Sequence, residues 1–236
     1  MKHLAKLMVV GFVLVASVTE AIARKPVLAV AEFKNQSGAG WWRGGVGREL
    51  AGMLTNELAS TGDFRMVERS KLENVLSEQD LAASGRVSAG TGARMGKLVG
   101  AQYLVMGTVT SYEENTASSG GGFSFKGVSL GGKKKEAYIA VDLRVVDTTT
   151  GEVAFVRTIE ATAKSGGMRI GLHKGGFGGA LGKEKKTPAG KAIRATLMEI
   201  TDYLGCVMVY KDDCMSEYGA KERRRRDKTK SAISLD

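Results

Sequence analysis

Two glycine-rich inserts, one between apolar strands and one between a strand and a helix, constrain this chain more than any other feature. From Ala101 to Gly167 it reads as strand, insert, strand, tight turn, strand. Val, Ile, Tyr and Thr fill the strands while Gly and Ser punctuate them, the pattern of antiparallel β-structure. The first insert runs from Asn115 to Lys135 and the second from Ala163 to Lys185. Both are too long for a hairpin turn, and long loops of this kind usually carry function. A long hairpin leaving a compact body serves as a pair of membrane strands or as an assembly arm. In the first insert the apolar residues are Phe123, Phe125, Val128 and Leu130. In the second, Met168, Ile170 and Leu172 alternate with Arg169, Gly171 and His173, which fits one short membrane strand.

The flanking sequence predicts an α/β body. Pro26 to Phe33 reads as a first, buried strand, followed by a glycine-rich loop from Ser37 to Gly45. Val46, Leu50, Met53, Leu54 and Leu58 recur at helical spacing, and Gly62 ends that helix. Phe64 to Arg69 reads as a second strand. Ser70 and Glu73 then have the spacing of a capping box, opening a helix that stops near Gly85. A short helix is expected over Gly92–Val99, then a strand at Tyr103–Met106. Ile139, Val141, Leu143 and Val145 share one face of the strand Ala137–Val146. Asp147 to Gly151 is the turn and Glu152 to Lys164 the return. Pro188 opens a last amphipathic helix with Ala192, Ile193, Leu197, Ile200 and Leu204 inward. The fold class is therefore α+β (α/β), with three to four helices on a mixed sheet and two extensions.

Residues 1–23 have the form of a signal peptide. Lys2 and Lys6 precede an apolar run from Met8 to Val18, and Ala21-Ile22-Ala23 supplies a small-x-small cleavage site. No cysteine lies there, so acylation at that point is not expected. Residues 24–210 form the expected folded domain. Residues 211–236 are expected to be a disordered tail, carrying the basic run KERRRRDKTK from Lys221 to Lys230 in a chain of net charge +10. Such a run suits nucleic acid or anionic lipid; in an exported protein nucleic acid is the weaker choice. Cys206 and Cys214 could close a small disulfide loop in an oxidising compartment or stand as independent thiols, and their spacing alone does not decide.

No enzyme signature stands out. Phosphate-binding G-x-x-x-x-G-K-[ST] and G-x-G-x-x-G patterns are absent. His173 is the only histidine outside the leader, which disfavours a serine hydrolase. Glu113 and Glu114 are adjacent, so a strand points them to opposite faces and they cannot act as an acid–base pair. No cofactor or metal is expected, and a binding or assembly role is the default.

Three blocks resemble the CsgG family of curli-production and transport proteins. They are VLAVAEFKN with GRELAGMLTNEL, FRMVERSKLENVLSEQ, and VMGTVTSYEENTASSGGG followed by IAVDLRVVDTTTGEV. The resemblance implies a homo-oligomeric secretion channel, exported to the periplasm or outer membrane of a Gram-negative bacterium. Each copy would add two β-hairpins to one barrel, and unfolded curli-like fibre subunits would pass without a nucleotide. Secreted or envelope proteins are the implied partners. The inserts fall at the family's membrane hairpins. Gly38 to Gly45 falls at its constriction loop, so Gly40, Trp41, Trp42 and Arg43 become candidates for the narrow ring. The tryptophans could equally anchor that loop on the body. The alternative reading is a soluble periplasmic accessory module, regulating a cell-envelope enzyme or serving a surface structure without forming a pore. A third is a nucleic-acid binder acting through Arg223 to Arg226.

Overall fold

A computed structural model describes residues 25–117, 124–125, 128–129, 134–164 and 187–233. The strands are β1 (Val27–Val30), β2 (Lys34–Asn35), β3 (Arg65–Met66), β4 (Tyr103–Ala117), β5 (Ser124–Phe125), β6 (Val128–Ser129), β7 (Lys134–Asp147) and β8 (Val153–Lys164). The helices are α1 (Val46–Thr61), α2 (Leu72–Ala83), α3 (Pro188–Gly205) and α4 (Cys214–Ser231), with a π-helical turn at Cys206–Tyr210. The main sheet runs β3-β1-β4-β7-β8. Its first half is parallel, with β1 between β3 and β4. Its second half is antiparallel. β2 continues the line of β1 along β4. This mixed sheet with helices is the α+β class that the sequence predicts.

Period-2 alternation puts one face of the sheet in the core. Val105 and Val109 of β4, Ile139, Val141, Leu143 and Val145 of β7, and Ile159 of β8 are buried there. Leu50, Leu54 and Leu58 of α1 and Leu197, Ile200 and Leu204 of α3 complete the same cluster. Each of these side chains stabilises the fold by roughly 1.5–3 kcal/mol on full burial. Gly107 interrupts the β4 row for a steric reason. A Cβ there would overlap the ring of buried Phe33, so the strand leaves room for the aromatic.

Several local expectations are corrected. The predicted helix over Gly92–Val99 is a chain of turns and bends. Its two glycines make a helix costly, and Gly96 takes a positive φ of 70°. The capping box at Ser70 and Glu73 does not form, because α2 starts later, with Lys71 at its N-cap. Glu68 accepts from the Lys71 amide instead, at 3.0 Å. The second strand shrinks to Arg65–Met66. The expected disordered tail is a helix over Cys214–Ser231.

Candidate functional site

Ala117 pairs with Lys134, and Glu136 pairs with Lys164, so β4, β7 and β8 all stop at one end of the sheet. Both inserts leave from that end. The chain returns from the second at Thr187, whose hydroxyl accepts from the Gly190 amide at 3.2 Å to cap α3. At the opposite end Tyr103 pairs with Asp147, and the Asp147 carboxylate holds the turn by accepting from Thr149 at 2.7 Å. The core closes just short of the insert end. Ala137 and Ala163, paired with each other, are its outermost buried residues on β7 and β8. One step further, Lys164 and Glu136 form an ion pair of 3.3 Å, and Glu113 and Glu114 on β4 are exposed. A charged row therefore rims the body where the inserts depart.

The tryptophan loop lies on this side. β2 runs parallel to β4 and meets it at Thr108 and Val109, so the chain leaving β2 heads toward the inserts. Asn35 Oδ1 accepts from the Ser37 amide and hydroxyl, turning the loop. Trp41 packs 5.5 Å from Trp42 and edge-on to Tyr112 of β4 at 5.2 Å. Both indoles are half-buried against the core, whereas Gly40 and Arg43 are exposed. The Trp41 indole N–H is buried with no acceptor among the described residues. Burial, then the charge of Glu114, raises the Tyr112 phenol above its ordinary range.

The carboxyl-terminal helix is held by three devices. Cys206 and Cys214 are joined in a disulfide, tying the end of the α3 run to the start of α4. Arg157 of β8 lies over the rings of Tyr203 of α3 and Tyr218 of α4, at 5.0 and 4.7 Å, where the two rings meet edge-on at 5.3 Å, and it donates to the Tyr218 carbonyl at 3.1 Å. Further along, Arg225 donates to Glu222 at 2.8 Å and lies 4.0 Å from Glu160 of β8. Lys221 bonds Glu199 of α3 at 2.8 Å. Burial, followed by the charges of Glu199 and Asp202, pushes the Tyr218 phenol well up. The hydrogen bond from Arg225 holds Glu222 below the usual carboxylate range.

The family model described as curli production assembly/transport component CsgG matches residues 13–233. The chain belongs to the CsgG family. Curated relatives bearing that description in Escherichia coli (strain K12) and Salmonella typhimurium (strain LT2) are 30% identical over 133 residues, 55% of this chain and 48% of each relative. The chain thus spans about half the length of the curated relatives it matches. Among solved structures, the hypothetical protein CT253 from Chlamydia trachomatis has a TM-score of 0.46 at 13% identity, covering 79% of this chain and 99% of that one. The PelC dodecamer from Paraburkholderia phytofirmans has a TM-score of 0.37 at 15% identity, covering 76% of this chain and 89% of that one.

Against the CsgG pattern, the predicted site residues fall unevenly. Phe123, Leu130, Met168, Ile170 and Leu172 lie outside the described residues, as does His173. Phe125 and Val128 pair with each other in the β5–β6 ladder. Gly127 to Gly131 spells G-x-S-x-G, which the sequence reading passed over. Ser129 sits on β6, not on the strand-to-helix elbow that hydrolases need. Sequence reasoning also missed Tyr112 as the partner of Trp41, and Arg157 as the clamp of α4. An aromatic on the strand beside the tryptophan loop was the available signal for the first. The second joins residues far apart in the chain and left no local signal. No described helix is long and apolar enough to cross a membrane, and no described cluster of His, Cys, Asp or Glu could hold a metal.

Proposed function

We propose that this CsgG-family chain is an exported envelope protein whose copies assemble into an outer-membrane channel for unfolded fibre subunits. The observation that carries the reading is the departure of both inserts from one end of the β4–β7–β8 ladder. Two hairpins raised side by side from one sheet end are what a subunit must offer to share a barrel, since spanning strands need closed pairing. The sequence from Asn115 to Phe125 has the length of a membrane strand, ~9–11 residues. The charged row of Glu136 and Lys164 then sits at the water boundary. Val75, Leu76 and Leu81 of α2 are exposed, and so are Val153 and Val156 of β8 at the edge opposite β3. Two separate apolar patches suit a head-to-tail ring contact better than a two-fold dimer. Transport is passive. The loop from Gly40 to Arg43 is the candidate constriction, and no residue acts as a catalyst.

The test is cell fractionation followed by mild detergent extraction. A large, detergent-dependent ring in the outer-membrane fraction supports the channel, and Ile170→Asp with Leu172→Asp should abolish its membrane retention. Unchanged extraction of that double variant ends the barrel role of the second insert. The inward packing of Trp41 and Trp42 favours a second reading, a periplasmic accessory module that keeps the body without a pore. A small species in the soluble fraction that captures an envelope protein is its expected signature.

A further inference from the structure

We infer that α4 is a cationic collar that seats the insert end of the body on an anionic phospholipid surface. α4 runs alongside β8 in the same direction, because Tyr218 meets Arg157 and, further along both elements, Arg225 meets Glu160. From Arg225 to Ser231 the helix rises ~9 Å. From Glu160 to Lys164 the strand rises ~13 Å. The last turn of α4 therefore ends close to the level at which both inserts leave. Lys134 and Lys135 open β7 at that same end.

The charges of α4 play different parts on its two sides, with Asp227 the one acid beside the outward cations. Lys221, Glu222 and Arg225 point inward and are spent on Glu199, Glu160 and each other. Arg223, Arg226 and Lys230 recur at i, i+3 and i+7, which puts them on one outward stripe. All three are exposed, and none forms an ion pair among the described residues. α4 has no buried residue. A helix without an apolar face cannot sink into acyl chains, so its affinity for a membrane must come from headgroup phosphates. Docking by the disulfide and the Arg157 stack fixes the stripe relative to the inserts. A free basic tail would bind anions in any orientation; this one presents them at the body's rim.

The inference deepens the channel reading and rests on it for the lipid surface that the insert end faces. The full mature chain is mixed with vesicles of equimolar phosphatidylglycerol and phosphatidylcholine, or of phosphatidylcholine alone, and separated by flotation at low and high salt. Partition should favour the anionic vesicles and weaken as salt rises. Near such a surface each cation contributes about fivefold, so Arg223→Gln, Arg226→Gln and Lys230→Gln together should weaken partition about a hundredfold. These side chains are exposed, so an unchanged melting temperature checks the fold. Equal partition into both vesicle types, or a triple variant that floats like the parent, overturns the collar. Salt-dependent binding to duplex DNA or to polyglutamate without binding to anionic vesicles overturns it too. The detergent-dependent ring is scored separately: a ring that persists in the triple variant leaves the channel standing whatever the vesicles show.

Discussion

Removing Arg157 should free α4 while leaving the sheet folded. Its guanidinium lies over the touching Tyr203 and Tyr218 rings and donates to the Tyr218 carbonyl. Each of the two cation–π contacts contributes about 0.7 kcal/mol. The hydrogen bond from a charged group adds about 1.5 kcal/mol. Arg157→Ala therefore costs the docked helix about 3 kcal/mol, which is roughly two orders of magnitude in its opening equilibrium. Arg157→Lys keeps the charge but loses the planar stack and the fork, so it should recover less than half of that. The assay is native-state hydrogen exchange. Amides of α4 should exchange about a hundredfold faster in Arg157→Ala, while those of β7 keep their parental rates. An α4 that exchanges at the parental rate would show that the disulfide and Arg225 suffice without the stack. Equal acceleration in β7 would show that Arg157 acts on global stability, and the docking argument would fail.

Ile200 is fully buried beneath the sheet, so Ile200→Ala should lose about 2–5 kcal/mol, read as a lower denaturation midpoint at an unchanged slope. Trp41→Phe keeps ring contact with Tyr112 and Trp42 and deletes the unpartnered indole N–H. It should change stability by less than about 1 kcal/mol, against about 3 kcal/mol or more for Trp41→Ala. Comparable losses in the two variants would contradict this account of the buried donor. The Tyr210 hydroxyl donates to Asp63, and that bond, followed by burial, pushes its pKa from 10.0 up to about 12. The folded value is the higher one, so the stabilisation is complete below pH 10 and is lost as pH rises toward about 12. Phenolate absorbance should show this tyrosine titrating late, and Asp63→Asn should bring it back toward the ordinary range; no change in that variant would refute the assignment.

The fold was legible wherever one period dominated. Ile139, Val141, Leu143 and Val145 alternate without interruption and became the buried row of β7. The α3 face was equally clear, and Pro188 marked its start. Local rules failed where two of them competed. Ser70 and Glu73 carry the spacing of a capping box, but Glu68 reaches the Lys71 amide and the helix begins after it. Gly92, Gly96 and Gly100 sit at helical spacing, yet backbone entropy outweighs the pattern. The tail misled for a different reason. Its run of like charges argues for disorder when each residue is counted alone. What orders α4 is nonlocal: a disulfide to Cys206, and contacts from Arg157, Glu160 and Glu199 on elements earlier in the chain. The candidate site shows the same division. Tandem tryptophans in a glycine-rich loop were visible, but their packing on Tyr112 required the parallel pairing of β2 with β4.

The position of the charged rim separates folding from assembly. Ala137 and Ala163 end the core on β7 and β8, and α1 and α3 already cover the buried face from Leu28 to Ile159. Nothing beyond the Glu136–Lys164 pair is needed to close that core. Small side chains at the boundary let the sheet end flush with α3, and the Thr187 cap satisfies the helix start without help from the insert before it. The body can therefore close its core without the inserts. An isolated two-stranded hairpin buries little and is at best marginally stable in water. A CsgG-type body thus suits a barrel and a free-standing module alike. The choice rests on the inserts, where a single charged substitution in the apolar row at Ile170 or Leu172 separates a lipid-facing strand from a solvated loop.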